Sequence, residues 1–133
     1  MAETIKILLV DDQQDFLETM SFWMNQKGYD VTTVLDSLKG VKLVQEQKFD
    51  IVFVDYKMPG LTGLDFIARV REFNKTLSIV MVTSYASDTI IHENQVKDLN
   101  ISGFFSKMRG FDDLEKVLDI VLRGIRRSKG EKT

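Results

Sequence analysis

The stretch FDIVFVDYKMPGLTG, Phe49 to Gly63, constrains this chain more than any other. Ile51 to Val54 is an unbroken apolar run rich in β-branched residues, which reads as a strand buried on both faces. The run ends on Asp55, and a turn at Met58-Pro59-Gly60 follows before a new amphipathic segment begins at Gly63. Strands of this kind belong to parallel sheets covered by helices on two sides. Open sheets of that architecture collect their chemistry at the carboxyl ends of the strands, where Asp55 stands. Taken alone, Asp55 reads simply as an acid that closes a strand or opens a turn. The remaining segments decide whether it is more.

Other apolar runs repeat the pattern. Ile5 to Val10 ends on Asp11 and Asp12, and Leu77 to Val82 ends on Thr83. A short strand from Gly103 to Ser106 ends on Lys107. Tyr29 to Val34 alternates apolar and polar residues, which suits a strand at a sheet edge. Between the strands the period changes to that of a helix. Phe16, Leu17, Met20, Trp23 and Met24 share one face, with Gly28 as the stop. Ser37 is the predicted cap of a helix carrying Leu38, Val41 and Val44. Leu64, Phe66, Ile67, Val70 and Phe73 form a third helix. Ala86 to Leu99 forms a weaker fourth, with Ser87 or Asp88 as cap and Ile90, Ile91 and Val96 as its apolar residues. Asp112 and Asp113 open a long last helix whose apolar face is Leu114, Val117, Leu118, Val121, Leu122 and Ile125. Arg123, Arg126 and Arg127 crowd its C-terminal turns, the end that favours cations.

Alternating strands and helices predict an α/β fold: a five-stranded parallel sheet with helices on both faces. Right-handed crossovers leave few topologies. Placing the most apolar strands in the centre and Tyr29–Val34 at an edge selects the order 2-1-3-4-5. The length, 133 residues, suits one domain with one sizeable core. A net charge of −2 gives no bulk attraction for nucleic acids or membranes. The absence of cysteine removes disulfides, thiolate metal sites and thiol nucleophiles, and it suits the reducing cytoplasm, the expected location. No run is long enough for a signal peptide or a membrane span.

In this strand order, Asp11, Asp12, Asp55, Thr83 and Lys107 converge on one rim. Crowded carboxylates raise one another's pKa unless a cation neutralises them. Mg²⁺ fits as a hard cation that accepts carboxylates, waters and phosphate oxygens, and Mn²⁺ is an alternative. With Lys107 as a fixed positive charge and Thr83 as a hydroxyl donor, the set suits a phosphoryl group on Asp55.

From about Thr4 to Arg127 the chain resembles the receiver domain of two-component response regulators, the chemotaxis regulators among them. The resemblance rests on Val10–Asp12, on VDYKMPGLTG from Val54 to Gly63, and on Thr83 and Lys107, in order and near the family's spacing. It implies a flavodoxin-like fold for residues 4–127, with 128–133 as a polar tail. It implies a signalling switch that takes a phosphoryl group onto Asp55 from a sensor histidine kinase or phosphotransfer protein. Such a domain catalyses only its own phosphorylation and dephosphorylation. Implied roles are Mg²⁺ binding by Asp12, by Asp11 mainly through water, by Asp55 and by the Lys57 backbone carbonyl. Lys107 pairs with the acyl phosphate, Thr83 swings inward to it, and Phe104 is the aromatic that moves with Thr83. Lys57 and Tyr85 flank the site where they would tune hydrolysis, which is expected to be slow. A downstream protein would bind the face of helix 4, strand 5 and helix 5, on a monomer or a weak phosphorylation-dependent dimer. No direct nucleic-acid or membrane binding is implied.

The sequence departs from the family at several places. Met108 follows Lys107 where a proline is usual, so a trans bond and a reshaped loop are expected there. The segment from Thr83 to Lys107 is slightly long, and its helix lacks the usual small residues. Phe104 has no hydroxyl, so its switch would rest on packing alone. These departures keep a second reading open, a pseudo-receiver that binds partners without phosphate turnover. An aspartate-nucleophile phosphohydrolase is disfavoured because Lys57 stands where a second acid belongs. A nucleotide-binding domain is disfavoured because no Gly-rich loop follows the first strand. His92, the only histidine, reads as a solvated helix residue, and Trp23 as core or rim packing.

Overall fold

The computed structural model describes residues 4–84 and 93–128. The elements run β1 (Lys6–Val10), α1 (Gln14–Gln26), β2 (Asp30–Val34), α2 (Ser37–Glu46) and β3 (Ile51–Asp55), then α3 (Gly63–Arg71), β4 (Ser78–Thr83), α4 (Glu93–Asp98), β5 (Gly103–Ser106) and α5 (Phe111–Ser128). Every strand pairing is parallel and the order is β2-β1-β3-β4-β5, as burial and crossover handedness require.

Alternation along the strands sorts the core into two layers. Ile7, Leu9, Ile51, Phe53, Val80 and Val82 pack under α1 and α5, against Leu17, Met20, Met24, Leu114, Leu118 and Val121. Leu8, Val10, Val52, Val54, Ile79 and Met81 face the other way, against Val44, Phe66, Ile67 and Val70 of α2 and α3, with Val96 of α4 packed alongside. Successive side chains of a strand point to opposite faces, so covering both faces demands the continuous apolar runs seen in β1, β3 and β4. The edge strand β2 has no fully buried residue. Trp23 lies at the core's rim, its ring stacked on Phe111 with centroids 5.1 Å apart.

The helix boundaries differ from the sequence reading in instructive ways. Asp36, not Ser37, caps α2 by accepting from the Leu38 and Lys39 amides. Ser37 is instead buried and donates to the Leu61 carbonyl. Leu38 is 56% exposed, because the buried side of α2 is Ser37, Gly40 and Val44. Phe73 falls beyond α3 and is exposed. The described α4 begins at Glu93, and Ser87, Asp88, Ile90 and Ile91 lie outside the described residues.

One buried cation was not foreseen. Arg71, in the last turn of α3, donates to the carbonyls of Leu99, Asn74, Leu77 and Asn100 at 2.7–3.0 Å. Asn100 takes a φ of +52° to present its carbonyl. The guanidinium fork thus ties the ends of α3 and α4 to the start of β4.

The loop after β3 is fixed by close approach and capping. Gly60 has a φ of +81°, which favours glycine. Thr62 and Asp65 form a reciprocal capping box at the start of α3. Gly63 sits so close to β3 that a Cβ there would lie 2.5 Å from the Asp55 carbonyl oxygen and 2.8 Å from Met81 Sδ. Gly63→Ala should therefore shift the backbone that carries Asp55 and destabilise the domain by about 1–3 kcal/mol, read as a lower urea midpoint. An unchanged midpoint would mean that the loop absorbs the methyl group freely.

Candidate functional site

Level strand ends assemble the site. Val10 is in register with Val54, Asp55 with Val82, and Thr83 with Ser106. The ladder continues past the strands through Tyr56 N–H to the Val82 carbonyl and Lys107 N–H to the Thr83 carbonyl, both 2.8 Å. Asp11 and Asp55 are 2% and 3% exposed and Thr83 is buried, whereas Asp12 is exposed.

The Lys107 ammonium lies 2.8 Å from Asp11 Oδ2 and 3.4 Å from Asp55 Oδ2. It donates to Gln13 Oε1 at 2.8 Å and rests 4.6 Å above the Phe16 ring centroid. The backbone N–H of Gln13 donates to Asp11 Oδ1. Asp55 Oδ1 is buried with no hydrogen-bond partner among the described residues. Burial, and next the negative charge of Asp11, push the Asp55 carboxyl up to about 6, against the pull of Lys107. Burial also raises Asp11, opposed chiefly by its contact with Lys107 and by the Gln13 amide.

Asp11, Asp12 and Asp55 each offer a carboxylate oxygen, all within 4.8 Å of one another. With all three ionised, one lysine leaves the group doubly negative. That charge, the orphaned Asp55 oxygen and the all-oxygen donor set fit a hard divalent cation.

Of the residues singled out from sequence, Asp11, Asp12, Asp55 and Lys107 come together, with Thr83 at the end of the adjoining strand. Lys57 is exposed in the loop after Asp55. Phe104 is 41% exposed on β5, beside an open groove of about 490 Å³ that Thr83, Val117 and Ile120 also line. Tyr85 and His92 lie outside the described residues. No cis peptide bond occurs among the described residues, so Lys107–Met108 is trans as expected. Gln13 and Phe16 enter the site unanticipated; the available signal was a glutamine, a weak capping residue, just before the first helical position.

The model of the response regulator receiver domain family matches residues 7–119. Sporulation initiation phosphotransferase F of Bacillus subtilis is 27% identical over 109 residues, covering 82% of this chain and 86% of that protein. The alginate biosynthesis transcriptional regulatory protein AlgB of Pseudomonas aeruginosa is 33% identical over 91 residues, which cover 68% of this chain but only 20% of that longer protein. Among solved structures, the chemotaxis protein CheY4 of Vibrio cholerae superposes with a TM-score of 0.81 at 27% identity, over 90% of this chain and 99% of that one.

The raised Asp55 value carries a signed consequence. Folded Asp55 holds its proton more tightly than an unfolded aspartate with its ordinary 3.8, so its stabilising contribution is full below that value and lost as pH rises through about 6. Once ionised, it destabilises the divalent-free fold by on the order of 3 kcal/mol. Asp55→Asn should be more stable than wild type at about pH 7.5, with the difference shrinking toward about pH 4. Urea titrations at both pH values without divalent ions check this; a pH-independent difference would mean that Asp55 ionisation is not its source.

Proposed function

Because this chain belongs to the family of response regulator receiver domains, we propose that Asp55 is its phosphoacceptor and that residues 4–127 form one receiver unit with a polar tail over 128–133. Phosphorylation-dependent switching is the general function of the family, and its receiver domains bind Mg²⁺ at the acidic site. The observation that carries the proposal is the buried Asp55 carboxylate, one oxygen facing Lys107 and the other with no hydrogen-bond partner among the described residues, amid acids that a divalent cation would neutralise.

In this reading an Asp55 carboxylate oxygen attacks phosphorus, forming an O–P bond as the bond to the donor's leaving group breaks. The donor is a histidine kinase or a phosphotransfer protein. Asp11, Asp12, Asp55 and the Lys57 carbonyl would hold Mg²⁺, or Mn²⁺, which would offset the charge of the incoming phosphoryl group. Lys107 orients and neutralises the phosphoryl oxygens from the other side. Lys57, exposed beside Asp55, and Tyr85, by its sequence position, restrict access of the hydrolytic water and make the acyl phosphate long-lived. The domain acts only on its own aspartate, as a cytoplasmic monomer or weak phosphorylation-dependent dimer. Among the described residues no helix is long and apolar enough to cross a membrane.

The output leaves by the face of α4, β5 and α5. The acyl phosphate adds charge approaching −2 beside β4, and Thr83 must turn toward it to donate. Phe104 then moves from its exposed position into the space that Thr83 leaves, gaining roughly 1.5–3 kcal/mol by burial.

With acetyl phosphate and Mg²⁺, the protein should take one phosphoryl group, read by intact mass, and Asp55→Asn should take none. Undiminished labelling of that variant would place the acceptor elsewhere. In ¹⁹F spectra of protein carrying fluorophenylalanine at position 104, that resonance should move as BeF₃⁻ and Mg²⁺ saturate the site. A resonance that stays in place would exclude Phe104 as the route of output.

A further inference from the structure

We propose that Gln13 is a positioning residue for Lys107, and that α1 gives up a helix cap to provide it. The inference rests on the reading of Asp55 as phosphoacceptor and extends it to the residue that readies the lysine. Gln13 occupies the position just before the first residue of α1, where Ser, Thr, Asp or Asn would accept a hydrogen bond from the helix's free amides. Its side chain makes no such bond. The amide oxygen turns instead to the Lys107 ammonium at 2.8 Å. The backbone of the same residue holds Asp11, through the N–H to Oδ1 at 2.9 Å. One residue thus fixes both the lysine and the acid with which that lysine pairs.

The geometry around Lys107 explains why such a residue is needed. A lysine side chain is long and flexible, and an ammonium carries three donors. Asp11, Gln13 and Asp55 surround the nitrogen at 2.8, 2.8 and 3.4 Å, and the Phe16 ring closes the remaining side. The loosest of these contacts is the one to Asp55. When a phosphoryl group forms there, that donor is released to a phosphoryl oxygen while Asp11 and Gln13 keep the nitrogen in place. Preorganised charge of this kind accelerates group transfer because it need not be gathered during the reaction. A residue that breaks a local rule of helix chemistry while serving a site is where stability and function are expected to diverge.

That divergence is the test. Gln13→Ser supplies a cap and removes the reach to Lys107. It should raise the thermal midpoint while slowing Asp55 labelling at saturating acetyl phosphate and Mg²⁺ by roughly tenfold, as expected for one charged hydrogen bond lost from the transition state. In a Lys107→Met background the same substitution should raise the midpoint again but leave the labelling rate unchanged. The ¹⁵N ammonium resonance of Lys107, sharp in wild type, should broaden through faster exchange with water in Gln13→Ser. Labelling that is equally slowed with and without Lys107, or an ammonium resonance indifferent to Gln13, would overturn the proposal. Wild-type protein that takes no label would overturn the phosphoacceptor reading instead, while the ammonium resonance still decides whether Gln13 holds Lys107.

Discussion

Five parallel strands paired as β2-β1-β3-β4-β5 end at nearly one level, and side chains that follow those ends meet on a shared rim. The pairing of Val10 with Val54, Asp55 with Val82 and Thr83 with Ser106 sets that level. A one-residue slip of β3 would turn Asp55 toward the opposite face and break the alternation that feeds both core layers. The apolar packing that stabilises the sheet is therefore also what locates the acids. Gly63 adds to this by letting α3 begin against the Asp55 backbone.

The site opposes the core that positions it. Burial raises both Asp11 and Asp55, and each is a like charge beside the other. Lys107 offsets part of that cost, held between them by Gln13 and by the face of Phe16. Carboxylates kept poorly neutralised in a dry setting bind cations and attack electrophiles more readily than solvated ones.

Much of this was legible in the sequence because hydrophobic period and strand ends are strong signals. The runs ending at Val10, Val54 and Val82 gave the parallel sheet, and their next residues gave Asp11, Asp55 and Thr83. Helix boundaries were less legible. Asp36 and Ser37 are both plausible caps, and only the buried bond from Ser37 to Leu61 separates them. Leu38 and Phe73 match the helical period yet are exposed: the buried side of α2 is Ser37, Gly40 and Val44, and Phe73 falls past the end of α3. Arg71 gave no signal at all: a basic residue in a helix's last turn suits the dipole, and its four carbonyl partners lie in two loops, 74–77 and 99–100, far apart in the chain. Gln13 was readable only as a residue that failed to cap.

Trp23 is the sole tryptophan, and its indole lies within 5° of parallel to the Phe111 ring, with the Lys27 ammonium 5.4 Å from its centroid. Phe111 opens α5 at the end of the short loop that begins at Lys107. The indole therefore touches, through that ring stack, the residue that closes the loop carrying Lys107. The consequence is optical: a displacement of that loop would alter the surroundings of the chain's single indole, so intrinsic emission would follow the loop without a label.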